Sequence, residues 1–260
     1  MGKRILMPLP DRDFDVTEVS VPWRLFTRAG HDVVFATEHG DKPAGDPLLL
    51  SGVVFGQLGA EAEPKGFYGE LERAPEFERP TTWDAVDPSS FDALYLAGGH
   101  AKGMRQYLEG KTLQDKVLAF WKLERRVAAI CHGTVVLART TDDGKSVLYD
   151  KRTTCLPKYM ERVAYYLTAW RRGDYYRTYP EYVEDEVKRA LADSEKQFVR
   201  GPLNLVSKGT ESDDGAAFVV EDGNYLSARW PGDAYLLAKK LRALLESGAR
   251  APLTRPAYAP

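Results

Sequence analysis

The sequence predicts an α/β domain built on a mostly parallel sheet. Short apolar runs of strand length, segments of helical period between them, and Gly or Pro at the junctions carry that expectation. A chain of 260 residues fits one enlarged core, and 43% hydrophobic with 28% charged residues is ordinary globular usage. Such a composition excludes a mainly disordered, collagenous or coiled-coil chain. One domain over 1–248 is expected, with a cap-like insertion at about 38–90 and a flexible or loosely docked tail over 249–260.

Lys3 to Leu9 reads as a buried strand ended by Pro8 and Pro10. From Asp15, the apolar residues Val16, Val19, Trp23, Leu25 and Phe26 recur at helical spacing until Gly30, with Pro22 either kinking the helix or marking its start. Asp32 to Ala36 is a second strand, so strand, helix and strand form a βαβ unit with a parallel sheet. Between Glu38 and Ser90 six prolines break the pattern, and a structureless loop of that length is unusual in a compact domain. Phe91 to Ala97 is a strand running into Gly98-Gly99-His100, Leu113 to Glu124 a helix, and Val127 to Ile130 a strand meeting Cys131-His132-Gly133 before a helical run over Thr134 to Arg139. Tyr159 to Ala192 reads as helix in two pieces. Its aromatic crowding around Tyr175 and Tyr176 is read as core or subunit interface and assigned no chemistry. Phe198-Val199 is a strand, Ala217 to Val220 and Tyr225 to Ala228 form a hairpin, and Pro231 to Glu246 closes the fold as a helix.

With 36 basic against 38 acidic residues, a formal charge of -2 and no basic run, no nucleic-acid or anionic-membrane footprint is present. Two cysteines, Cys131 and Cys155, make no disulfide framework and are expected as free thiols in a reducing compartment. The apolar start is too short for a signal peptide and no stretch is long enough to span a bilayer, so a cytoplasmic location is expected. Metal-ligand pairings, a Walker loop and a Gly-x-Gly-x-x-Gly after the first strand are all missing, and neither a metal nor a cofactor is expected.

Chemistry points to the turn at Cys131. A cysteine between a buried strand and a helix projects its sulfur at the carboxyl edge of the sheet, where helix-end amides lower a thiol pKa, and Gly133 is expected to leave room for a substrate. The alternative is that Cys131 is a small buried hydrophobe. Ala129-Ile130-Cys131-His132-Gly133, the strand ending Leu96-Ala97-Gly98-Gly99-His100, and Ser227-Ala228-Arg229-Trp230-Pro231-Gly232-Asp233 together resemble the ThiJ/PfpI (DJ-one/PfpI) superfamily. Within it they are similar to the heat-shock chaperone and glutathione-independent glyoxalase branch. The resemblance runs from Lys3 to about Leu245. It implies a flavodoxin-like, class I glutamine amidotransferase-like three-layer sandwich with helices on both faces of the sheet.

The resemblance further implies that Cys131 is the nucleophile, that Glu18 hydrogen-bonds its sulfur and shuttles a proton, and that an acid some thirty residues on orients His132. Glu161 is taken for that acid ahead of Glu184 and Asp174. Gly99 and the His132 amide would serve an oxyanion, with Gly98 and His100 beside them. Asp15 and Glu18 also stand at capping-box spacing, so Glu18 has a structural alternative, as Glu161 does in a solvated helix face. A glutaminase triad is excluded, because the four histidines are His31, His39, His100 and His132, none far downstream of Cys131, and Ala129 replaces that class's first elbow glycine. A cysteine-dependent enzyme for a small carbonyl substrate such as methylglyoxal is therefore expected. The rivals are a holdase chaperone or redox sensor, and an amidase-like or isonitrile-hydratase-like enzyme. The resemblance also admits a homodimer.

Overall fold

In the computed structural model, which describes residues 2–56, 58–204 and 206–247, the chain opens with β1 (Arg4–Pro8), a buried Ile-Leu-Met run. A short strand β2 (Arg12–Phe14) leads to α1 (Val16–Arg28). Asp15 starts that helix, its carboxylate accepting from the Thr17 and Glu18 amides, a cap worth about 1 kcal/mol. Pro22 lies inside α1 and does not mark its start. Then come β3 (Asp32–Thr37) and the irregular segment, which contains β4 (Ala44–Gly45), α2 (Pro47–Ser51), α3 (Ala62–Leu71), α4 (Pro75–Glu78) and β5 (Thr81–Thr82). Prolines hide these pieces at sequence level, since two of them open α2 and α4, where a missing N–H costs nothing. Phe67, Tyr68, Leu71, Phe77 and Trp83 from this segment join the main core.

The second half runs β6 (Ala93–Leu96), α5 (Met104–Glu109), α6 (Lys111–Trp121), β7 (Arg126–Ile130) and α7 (Gly133–Arg139). A tight hairpin of β8 (Thr141–Asp142) and β9 (Lys145–Ser146) precedes α8 (Lys158–Arg172), α9 (Val183–Arg189) and α10 (Ser194–Gln197). The chain closes with β10 (Val219–Asp222), β11 (Tyr225–Ala228) and α11 (Ala234–Glu246). Phe198 forms only a single bridge to Thr153, where a strand was expected. The expected tail lies outside the described residues.

Seven strands form one sheet in the order β10-β11-β7-β6-β1-β3-β5. All neighbours are parallel except the β10-β11 hairpin. β6 and β7 are buried throughout, as strands covered on both faces are. From β1 the chain steps outward to β3 on one side, then returns to β6 and β7 on the other. The carboxyl ends of β1, β6 and β7 therefore gather at the topological switch point, where such sheets form a crevice. The Arg229 to Asp233 motif is a clamp behind it. Arg229, fully buried, pairs through Nε and Nη2 with Asp233 at 2.8 and 2.9 Å and donates to the Pro202 carbonyl, while Asp233 takes the amide of Phe218.

Candidate active site

β7 delivers Cys131 on a turn with φ +56°, left-handed backbone that costs a non-glycine residue about 1–2 kcal/mol. The amide of Cys131 donates to Ala228 O on β11 at 3.1 Å, which fixes the elbow. Gly133 permits that turn for a reason other than substrate access. A Cβ there would sit 2.2 Å from Leu96 O and 2.7 Å from Ala97 O, so its bareness lets α7 start hard against β6. Gly98 is equally confined: a Cβ would meet His132 N, Glu18 Oε2 and Cys131 Cβ within 2.7–2.9 Å. Gly99 has φ +155°, and its amide meets no acceptor among the described residues.

Glu18 is fully buried in α1 and does not cap it, since Asp15 fills that role. Its Oε2 instead accepts from the Gly98 amide at 2.8 Å, on the side of Gly98 that also faces Cys131, and its Oε1 is buried with no partner. Burial, reinforced by Asp15, pushes Glu18 well up, and burial with Glu18 and Asp15 does the same to the Cys131 thiol. The expected lowering of that thiol is thus overturned, because desolvation outweighs the amides of a short helix. Asp15 is itself raised to about 6 by burial, held lower by the two amides it caps. Burial thus favours the protonated forms of Glu18 and Cys131.

His132 is buried and kept neutral, its pKa lowered to about 3 by desolvation. Its Nδ1 faces Cys131 Sγ at 3.5 Å and its Nε2 lies 3.1 Å from Thr178 Oγ1. Thr178 has a single hydroxyl proton and donates it to His100 O at 2.6 Å. It therefore accepts from His132, so the proton sits on Nε2 and the Nδ1 lone pair faces the sulfur. Glu161 does not hydrogen-bond His132: its carboxylate accepts from the Val183 amide at 3.2 Å and pairs with Arg177 at 3.7 Å. Both ring nitrogens of His132 are already met by Thr178 and Cys131. Glu184 takes the Lys158 amide and Arg200, and Asp174 takes Lys102.

His100 is stacked on Tyr176 with centroids 4.2 Å apart and meets Tyr175 edge-on at 4.6 Å. Its Nε2 is buried without a partner, and burial lowers its pKa to about 3. Tyr175 also hydrogen-bonds Asp46, the cap of α2. The aromatic stretch assigned no chemistry from sequence thus supplies one wall beside the elbow. Thr178, Asp46 and the two tyrosines have no motif of their own, and the chain's return past His100 brings Thr178 and the tyrosines here. Among the described residues no group of three or more His, Cys, Asp or Glu could hold a metal ion, and no helix is long and apolar enough to cross a membrane.

The profile of a family described as ThiJ/PfpI family-like matches residues 9–202. The chain belongs to that family. As a ThiJ/PfpI-like protein it is 30% identical over 253 residues to the uncharacterized protein C14C4.04 of Schizosaccharomyces pombe, covering 94% of this chain and 84% of the relative. It is 27% identical over 144 residues to the glutathione-independent glyoxalase hsp3101 of the same yeast, covering 53% of this chain and 56% of that one. The crystal structure of glyoxalase III from Candida albicans superposes with a TM-score of 0.67 at 18% identity, covering 93% of this chain and 96% of that one, a likeness of fold.

Proposed function

We propose that this ThiJ/PfpI-like protein is a cysteine-dependent enzyme that needs no cofactor and converts a small 2-oxoaldehyde, methylglyoxal, to its 2-hydroxy acid without glutathione. The observation that carries this reading is the placement of Glu18 beside Cys131 across Gly98, a buried carboxyl with one unpartnered oxygen next to a buried thiol. The named glyoxalase relatives supply the substrate class.

In this mechanism Cys131 Sγ bonds to the aldehyde carbon while its proton passes to His132 Nδ1 and the aldehyde oxygen takes the proton of Glu18, giving a hemithioacetal and leaving Glu18 ionised as the base for the next step. The Gly99 amide stands ready for the developing negative oxygen. Glu18 then carries one proton from C1 to C2, while a second passes from the C1 oxygen to the C2 oxygen through His132. The hemithioacetal becomes a thioester of the 2-hydroxy acid with no oxidant or reductant. Water cleaves the thioester and returns the thiol. A neutral, buried imidazole and a protonated carboxyl are the forms these steps start from.

The test is to incubate the purified protein with methylglyoxal in the absence of glutathione and follow aldehyde and lactate together. Many turnovers of lactate per protein are expected. Aldehyde loss that stops at one equivalent, with no lactate, overturns the proposal and leaves only a reactive thiol.

A further inference from the structure

Thr178 meets His132 from the segment 173–182, which joins α8 to α9 and contains no helix or strand. A hydroxyl on such a segment has no regular element to set its position, and holding it still costs conformational entropy. Two arginines supply the hold. Arg105 on α5 donates from both Nε and Nη2 to the Thr178 carbonyl, at 2.8 and 2.5 Å. Arg139 at the end of α7 donates to the Tyr179 hydroxyl at 3.1 Å, and that hydroxyl donates on to Glu109 at the end of α5 at 2.7 Å. Both guanidinium groups lie over the Tyr179 ring, their central carbons 5.0 and 4.5 Å from its centroid.

Neither arginine is placed as a surface charge would be. Among the described residues Arg105 forms no salt bridge, and both of its hydrogen bonds go to one uncharged oxygen. Arg139 is fixed in turn, with Nε and Nη2 forked onto the two oxygens of Glu186 on α9 at 2.6 and 3.1 Å and Nη1 also reaching Leu108 O at 3.3 Å. A planar fork of this kind sets where its partner lies as well as neutralising it. Helix α7 sets the register: His132 caps its start and Arg139 ends it, two turns away on the same face. The consecutive residues Thr178 and Tyr179 thus read two points along one helix, and a displaced Tyr179 takes with it the hydroxyl that meets His132.

We infer that Arg105 and Arg139 are positioning residues of the candidate active site, holding Thr178 and Tyr179 so that the Thr178 hydroxyl stays on His132 Nε2. Neither touches the reacting atoms. Their grip decides which imidazole nitrogen carries the proton. With Thr178 held as acceptor the proton stays on Nε2 and the Nδ1 lone pair faces Cys131. With the segment displaced, the imidazole loses the partner that selects this tautomer. Arg139 has a second and smaller effect, since its positive charge adds to the burial that keeps His132 neutral.

A double-mutant cycle in the full chain tests this, with Arg105→Lys and Thr178→Val made singly and together and read by methylglyoxal turnover and by nitrogen-15 spectra of His132. The kinetic arm rests on the reaction proposed above and the spectroscopic arm does not. Lysine keeps the charge of Arg105 and loses the fork, so Arg105→Lys is expected to lower kcat about 10-fold with KM nearly unchanged and to give a mixed His132 tautomer. In the Thr178→Val background the same change is expected to cost less than about 2-fold, because a residue that acts through Thr178 then has nothing to hold. Tyr179→Phe keeps the ring and drops the hydroxyl that Arg139 holds, and is expected to cost about 3-fold in kcat with the same spectral change. Losses that multiply in the double variant, or an Arg105→Lys protein with the wild-type tautomer, overturn the inference. If no lactate forms at all, the proposed reaction falls, and the inference stands or falls on whether Arg105→Lys and Tyr179→Phe shift His132 from its Nε2-protonated form.

Discussion

Cys131 and Cys155 are both free and buried, and burial pushes both thiols up. Each has acids nearby, Glu18 and Asp15 for the first, Glu184, Glu161 and Asp185 for the second. By burial and charge they are alike. What differs is how much hydrogen-bonding capacity their neighbours have left. Around Cys155, Glu161 is spent on Val183 and Arg177 and Glu184 on Lys158 and Arg200, and the sulfur reaches only Leu156 O at 3.8 Å. Around Cys131, Glu18 keeps a free oxygen, His132 turns a lone pair to the sulfur, and the Gly99 amide is unspent. Capacity left on several groups around one sulfur sets Cys131 apart, since single orphans such as Thr154 Oγ1 beside Cys155 also occur.

The sharpest way to break that comparison is to exchange the sulfurs for oxygens one at a time. Cys131→Ser is expected to lower lactate formation by more than ~10³-fold, to background, as the loss of an activated nucleophile does. Cys155→Ser is expected to stay within about 2-fold of wild type in kcat/KM, because a hydroxyl there replaces a thiol that contacts one carbonyl. Equal losses in the two variants would show that the distinction drawn between them is wrong. Next in size is Glu18→Gln. It keeps an acceptor for the Gly98 amide but carries no transferable proton, so kcat should fall by about 10²–10⁴-fold, with iodoacetamide still modifying Cys131. Full activity in that variant would remove Glu18 from proton transfer.

Much of the fold and half of the site were legible in sequence, for reasons specific to each element. β1, β3, β6 and β7 are continuous apolar runs with turn residues behind them, and α1 and α11 carry regular apolar stripes, so period and punctuation suffice. Cys131 was reachable because it stands between such a strand and a helix, whereas Glu18 and His132 were named through the family resemblance. The segment over 38–90 was not, since α2 and α4 are a single turn or little more and their prolines at the first helical positions read equally well as loop breakers. Glu161 was expected at His132 and Thr178 stands there instead, because a count along the chain cannot know that Gly173, at φ +57°, ends α8 and turns the chain so that Thr178 reaches His132. The thiol's direction was missed because a helix N-terminus is visible in sequence and the depth of burial is not. A hydroxyl partner for a histidine leaves no pattern at all.

Thr178 offers a smaller and more selective test. Thr178→Val removes the acceptor for His132 Nε2–H and the donor to His100 O while preserving shape. As a positioning residue it is expected to cost about 10–100-fold in kcat with KM nearly unchanged, by analogy with other second partners of functional imidazoles. Thr178→Ser should restore most of the rate. Nitrogen-15 spectra should show neutral, Nε2-protonated His132 in wild type from pH 8 down to 5, since burial holds its pKa near 3, and a mixed tautomer in the valine variant. A wild-type Nδ1–H signal would reverse the assignment of the lone pair.

The mildest perturbation is Glu161→Gln, which separates a structural carboxyl from a catalytic one by pH. Burial raises Glu161 from 4.5 to about 7, with the Val183 amide and Arg177 opposing. Between those two values the folded protein keeps a proton that the unfolded chain has released, so this group's contribution to stability is complete below 4.5 and is lost as pH rises through 7. A shift of this size corresponds to roughly 3 kcal/mol at most. Glutamine has no such proton and still accepts from Val183. Urea unfolding should therefore show the variant gaining on wild type by roughly 2–3 kcal/mol between pH 4.5 and 8, with kcat/KM within about 3-fold throughout. If activity instead collapses and the stability difference is flat with pH, Glu161 acts on the reaction, and its unspent capacity lies in a conformation in which it leaves Arg177 for His132.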